Sequence, residues 1–306
     1  MKITMLSRVD YAGSGYKIME AVSRHTDHDI DLFTGPYRNV FNHPIKNIVT
    51  GENRDAIQKR INDSDVIHLK GDWPAGDGYL GLQIMHKPTV QTVGGSFFRK
   101  KSLAEHNGSG MGKFSTDGYK ADIKTSLTLD LCYPEYSDIW TPQPIDSLSV
   151  KNTWVMSSPP SLIHMPTNTV KKATKFILNV FNQLPYDLSV IDKVPHQESL
   201  TIKKGATIFF DQFRVGFYGN SAIEAMQHGI PAAAWISPEA IDRANGKLDD
   251  CPVINAPLTI EAWVEAITKA MDSNLEDLSK RSKVWCDKWH SYETVAKQWD
   301  KIYRSL

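Results

Sequence analysis

Short uninterrupted apolar runs alternate along this chain with stretches whose apolar residues recur every three or four positions. The runs predict strands at residues 2–6, 29–33, 65–69, 89–93 and 123–127, and again at 153–156, 162–164, 187–191, 206–210, 232–236 and 253–255. Those at 206–210 and 232–236 lack polar alternation, as expected of parallel strands covered on both faces. Helical spacing follows Gly15, where Ile18, Ala21 and Val22 share a face, and recurs at 55–61, 196–203, 221–227, 238–244, 260–271, 275–289 and 292–303. Strands alternating with helices predict an α/β chain. Pro142 and Pro144 stiffen a connection, so the pattern divides near Asp146 into domains at 1–147 and 148–290.

Residues 206–236 concentrate the most information: strand, glycine-containing loop, short helix, strand. Gly229 and Pro231 stop the helix. The loop at 216–220 ends on a helix start, where backbone N–H groups suit a phosphate. Two roles fit Glu224. With Ser221 it has the spacing of a capping box, stabilising the helix by roughly 1 kcal/mol. Beside a phosphate loop it equally suits hydrogen bonds from ribose hydroxyls.

The length, 306 residues, fits two α/β domains of about 150 residues better than one core. Lys plus Arg and Asp plus Glu number 35 each, so no overall charge draws the chain to nucleic acid or an anionic membrane. Cys132, Cys251 and Cys286 are scattered, which predicts neither a disulfide framework nor a zinc site and fits a reducing cytoplasm. Neither a signal peptide nor a run of the roughly 20 apolar residues that a membrane span needs is present, so a soluble protein is expected. Asp63-Ser64-Asp65 has a metal-binding D-x-D pattern but falls at a helix-to-strand turn, where acidic residues are ordinary turn formers; no metal is expected. His68, inside a strand, reads as a hydrogen-bonded core residue.

The segment GFYGNSAIEAMQHGIP, preceded by Asp211-Gln212, resembles the nucleotide-sugar site of retaining glycosyltransferases of the GT-B fold, family four, in which G-x-Y-G-x-x-x-x-E-A-M-x-x-G-x-P recurs. The resemblance implies two Rossmann-like domains facing each other across a cleft, with the last helix (291–306) returning to the first domain. It departs from the family at Gly216, where a first acid is usual, at Gly94 for a loop histidine, and at Thr169 and Ala173 for an arginine and a glycine.

The implied chemistry is transfer of a sugar from a nucleoside diphosphate sugar to an acceptor hydroxyl with retention, needing no metal or other cofactor. By this resemblance Lys172, ahead of a helix in PTNTVKKAT, and amides of Gly219, Asn220 and Ser221 would hold the diphosphate, with Asn168 and Asp211 beside them. Glu224 would hold the ribose. Gly13, Gly15, Gly95, Ser96 and Arg99 would line the first domain's share of the site. Asp72, after a strand, suits an acceptor hydroxyl, and suits equally a turn cap. Residues 100–120, rich in Gly, Ser, Lys and Asn, read as a mobile loop over the acceptor or as a plain connection. The acceptor would be a glycan, a glycolipid or a hydroxymethylated DNA base. A sugar-nucleotide epimerase of related fold and an inactive GT-B binding module are the rival readings.

Overall fold

The computed structural model describes residues 1–36, 47–71, 79–84, 86–94, 121–132, 137 and 139–306. The chain forms two compact units, Met1–Pro144 with Tyr292–Leu306, and Ile145–Ser291.

The first unit holds a parallel sheet of order β2-β1-β3-β4-β5-β6, from Lys2–Ser7 (β1), Asp29–Thr34 (β2), Val66–Lys70 (β3), Thr89–Val93 (β4), Ile123–Ser126 (β5) and Ile139–Trp140 (β6). Every residue of β3 and β4 is buried, as expected of central strands covered on both faces. One face of the sheet packs Ile3, Met5 and Val66 against Ile18 and Val22 of α1 (Ser14–His25), together with Trp299 and Tyr303 of the last helix. The other face packs Leu6, Ile67 and Leu69 against Ile57 and Ile61 of α2 (Arg54–Asn62). His68 is fully buried between Tyr303 Oη at 2.7 Å and Thr92 Oγ1 at 2.6 Å. Burial, then the nearby Lys70 charge, depress its pKa to about 3, so the ring is neutral.

The second unit holds a parallel sheet of order β10-β9-β7-β8, from Leu162–His164 (β7), Leu188–Val190 (β8), Ile208–Phe210 (β9) and Ala232–Ala233 (β10). Its helices are Thr174–Phe181 (α3), His196–Lys204 (α4), Asn220–Met226 (α5), Pro238–Ala244 (α6), Ile260–Met271 (α7) and Leu275–His290 (α8). Leu162, Ile208 and Phe210 meet Ile177 of α3 and Trp263 and Ile267 of α7 on one face. Ile163 and Phe209 meet Ala225 of α5 on the other. The last helix, α9 (Tyr292–Arg304), belongs to the first unit and packs on α1.

Two expectations are corrected. Residues 153–156 form no strand: Val155 and Met156 are exposed, and the Trp154 amide donates to Asn152 Oδ1 instead of a ladder. The run 253–255 contributes a single bridge, Ala233 to Ile254. Along the chain the first unit passes into the second between Pro144 and Ile145. Among the described residues no helix is long and apolar enough to cross a membrane.

Candidate functional site

In an open parallel sheet, ligands meet the carboxyl ends of strands where successive connections leave in opposite directions. In the second unit that point lies between β7 and β9, since β7 connects toward β8 and β9 toward β10. Asp211, the first residue after β9, is 1% exposed there. Its Oδ2 accepts the Gly219 amide at 2.6 Å, and its Oδ1 pairs with Lys172 Nζ. A Cβ on Gly219 would approach Asp211 Oδ2 to 3.1 Å and Lys172 Nζ to 3.5 Å, so a side chain there would crowd both. Lys172, Asp211 and Gly219, brought forward from the sequence, thus meet at one point.

Local backbone geometry explains how they meet. Lys172 lies just ahead of α3, whose N-cap is Ala173 at φ 54°. This left-handed conformation turns the chain so that the Phe213 amide donates to the Lys172 carbonyl at 3.3 Å. A Cβ disfavours that region, so glycine would adopt it with less strain than this alanine. Gly216 likewise has φ 89°. An acid there would be strained, so the missing first acid accompanies a loop conformation that suits glycine. Asn168 is exposed, and its Oδ1 accepts the Lys171 amide at 2.8 Å, forming the turn that leads to Lys172. His164 ends β7. Its Nδ1–H donates to the Phe210 carbonyl at 2.8 Å, so neutral Nε2 accepts from Thr174 Oγ1 at 2.9 Å. Burial holds this histidine's pKa below its usual value, outweighing the Phe210 hydrogen bond.

The capping box does not form. The N-cap of α5 is Gly219, without a side-chain cap, and Ser221 lies inside the helix. Asn220 and Ser221 occupy the first helical turn, half-buried. Glu224, 5% exposed, turns instead to α4: Oε2 accepts Lys203 Nζ at 2.6 Å and Oε1 accepts His196 Nε2 at 2.9 Å. Lys203 and His196 carried no motif in the sequence. Below the loop, Tyr218 is fully buried, accepts Trp285 Nε1 at 3.2 Å and lies 3.0 Å from His290 Nε2. Burial keeps its hydroxyl protonated.

The first unit repeats the theme at its own reversal, between β1 and β3. Asp10, buried, accepts the Gly15 amide at 2.7 Å and the Tyr16 amide at 2.9 Å, and pairs with Lys70 Nζ at 2.9 Å. Gly13, at φ 62°, is the N-cap of α1, and a Cβ on Gly15 would meet Lys70 Cδ at 2.9 Å. The Gly15 amide is therefore engaged by this chain's own carboxylate. Asp10 and Lys70 escaped the sequence reading because neither lies in the glycine pattern itself. Asp72, Gly95, Ser96, Arg99 and the 100–120 segment lie outside the described residues. The described His, Cys, Asp and Glu residues offer one grouping with metal-ligand spacing, Asp27, His28 and Asp300, and Arg304 already pairs with both of its aspartates at 2.6 and 2.8 Å.

No protein-family model matches the chain, and no curated protein does. Solved structures match over its whole length. A sucrose-phosphate synthase from Thermosynechococcus elongatus is similar at 12% identity with a TM-score of 0.65, covering 100% of this chain and 99% of that one. An α-glucosyltransferase in complex with UDP and a 13-mer DNA containing an HMU base gives 11% identity and a TM-score of 0.66, covering 99% of each chain. Anabaena HepE in complex with UDP-glucose gives 10% identity and a TM-score of 0.66, covering 100% of each. Two parallel-sheet units with this strand order, matched end to end by such enzymes, mean that the chain has the fold of the GT-B glycosyltransferases.

Proposed function

We propose that the protein is a glycosyltransferase that moves a sugar from a nucleoside diphosphate sugar to an acceptor hydroxyl, with retention of configuration and without a metal. The observation that carries this reading is the meeting of Lys172, Asp211 and Gly219 at the reversal of the second unit's sheet, in the same segment as Glu224. An ammonium carries three donors. Asp211 engages Lys172 from the buried side, and the lysine side chain remains 14% exposed, able to offer further donors to a diphosphate. Positive charge placed against the leaving diphosphate stabilises the charge that develops as the glycosidic bond breaks. Glu224 would accept a ribose hydroxyl. Gly13, Gly15, Asn168, Asn220 and Ser221 line the approaches in this reading, and the acceptor side falls to Asp72, Gly95, Ser96 and Arg99.

Incubation with UDP- and ADP-sugars and candidate acceptors tests the proposal. Release of nucleoside diphosphate with formation of an α-linked product from an α-linked donor is expected. An isomerised donor without transfer points to an epimerase, and no turnover with intact binding to an inactive module. The acceptor panel includes a glycan, a glycolipid and DNA containing a hydroxymethylated base, the last because one similar structure holds such DNA.

A further inference from the structure

At the reversal of the second unit's sheet the two charges cancel. Asp211, almost wholly buried, pairs with Lys172, so together they present no net charge to a ligand above them. A diphosphate brings more than one negative charge, and gains more when the electron pair of its bond to a sugar passes to its own oxygen. The pair alone leaves such a ligand short of positive charge. Arg214 supplies it from the loop between β9 and α5. Phe213, just before it, sends its ring into the core, 4.7 Å from that of Trp263, and donates its amide to the Lys172 carbonyl at 3.3 Å. Arg214 itself is exposed and makes no hydrogen bond or ion pair with any described residue. Consecutive Cα atoms lie about 3.8 Å apart, so this long side chain starts beside the backbone that carries Lys172.

We propose that Arg214 is a substrate-binding residue that makes this site select a nucleoside diphosphate over the monophosphate. This deepens, and rests on, the reading of Lys172, Asp211 and Gly219 as the donor site. Lys172 is a point charge held in place by Asp211, and it suits one phosphate. A guanidinium presents its donors in a planar fork that matches paired phosphate oxygens, and it suits the other. The backbone beneath Arg214 is already fixed. Gln212 Nε2 donates to the Phe217 carbonyl, the Trp235 amide to the Gln212 carbonyl at 2.9 Å, and the Ser237 amide to the Gly216 carbonyl at 3.0 Å. Binding therefore orders a side chain on a loop that is held on both sides of it, which limits the entropy lost. A monophosphate, satisfied by Lys172 and the Gly219 end of the loop, gains little from the second cation.

Calorimetry at fixed ionic strength tests this by comparing the diphosphate and the monophosphate of uridine or adenosine, whichever base binds more tightly. The wild type is expected to prefer the diphosphate. Arg214→Gln should weaken diphosphate binding by about tenfold or more, the range of hydrogen bonds between charged groups, and leave monophosphate affinity within about twofold. Its melting midpoint should not move, because the side chain is exposed and unpaired among the described residues. Lys175→Gln removes the same charge from an exposed position on α3 and should change both affinities by less than about twofold. Equal losses for the two nucleotides in Arg214→Gln, or a Lys175→Gln as damaging as Arg214→Gln, overturn the assignment. If the wild type prefers the diphosphate and Arg214→Gln keeps that preference, Arg214 falls and the donor site stands. If the wild type shows no preference, or binds neither nucleotide, the donor reading falls with it.

Discussion

Replacing Lys203 with Met isolates the energetics beneath the site. The substitution removes a cation 2.6 Å from a carboxylate that is 5% exposed, leaving Glu224 with His196 as its partner from α4. Removing one member of a buried ion pair typically costs about 3–5 kcal/mol, because the other charge stays buried without compensation. The surviving His196 hydrogen bond at 2.9 Å places this case at the lower end, about 3 kcal/mol. Replacing both charges with apolar groups of similar volume is often neutral. Lys203→Met with Glu224→Leu should therefore recover most of the loss, a coupling opposite in sign to additivity. Urea unfolding followed by tryptophan fluorescence reads this directly, since Trp154, Trp235, Trp263, Trp285 and Trp289 report on the second unit. With m of about 1–3 kcal/mol/M, the single variant should lower that unit's midpoint by about 1–3 M. A shift equivalent to less than about 1 kcal/mol, the scale of an exposed pair, or a double variant no more stable than the single, would refute the account of a buried, strongly coupled pair.

Three further outcomes follow from the geometry. His68 has its folded pKa lowered to about 3 from an ordinary 6.5, so the unfolded chain binds the proton more readily; stability should be intact above pH 6.5 and fall as pH drops toward 3, by up to about 1.4 kcal/mol per pH unit from this residue. Its replacement by Gln should flatten that slope in a urea titration across pH. Ala173→Gly should stabilise the second unit by about 0.5–1 kcal/mol, the left-handed penalty less glycine's extra unfolded entropy, and raise its melting midpoint. Gly229→Ala should destabilise by about 3 kcal/mol: the residue sits at φ 76° and a Cβ would lie 2.3 Å from Asn152 Oδ1, displacing a side chain that bonds Ser279 and the Trp154 amide. Adding Asn152→Gly should relieve part of that loss, measured by the same unfolding curves.

Much of this was readable from residues alone, for physical reasons. Short β-branched and apolar segments made β1 to β5 and the strands of the second sheet visible, whereas the two-residue β6 left no such segment. Lys172, Asp211 and Gly219 were singled out by the resemblance of two segments far apart in sequence, and the fold brings those segments together. The partners of Glu224 were not. Lys203 and His196 reach it from another helix, and a lysine on an exposed-looking helix gives no sign that it will be buried. The capping box failed because the helix starts earlier than the spacing implied: Gly219 is the N-cap, so Ser221 and Glu224 both lie inside the helix. The run at 153–156 was misread because apolar residues there remain on the surface.

The order of elements along the chain carries a consequence for biosynthesis. The first unit's sheet is complete by Trp140, yet its core contains Trp299 and Tyr303, and His68 depends on the latter's hydroxyl. The second unit ends at Ser291. On a translating ribosome, the half made earlier can cover this sheet face with α1 alone until the last helix emerges, so its core is completed only after the later half has been made.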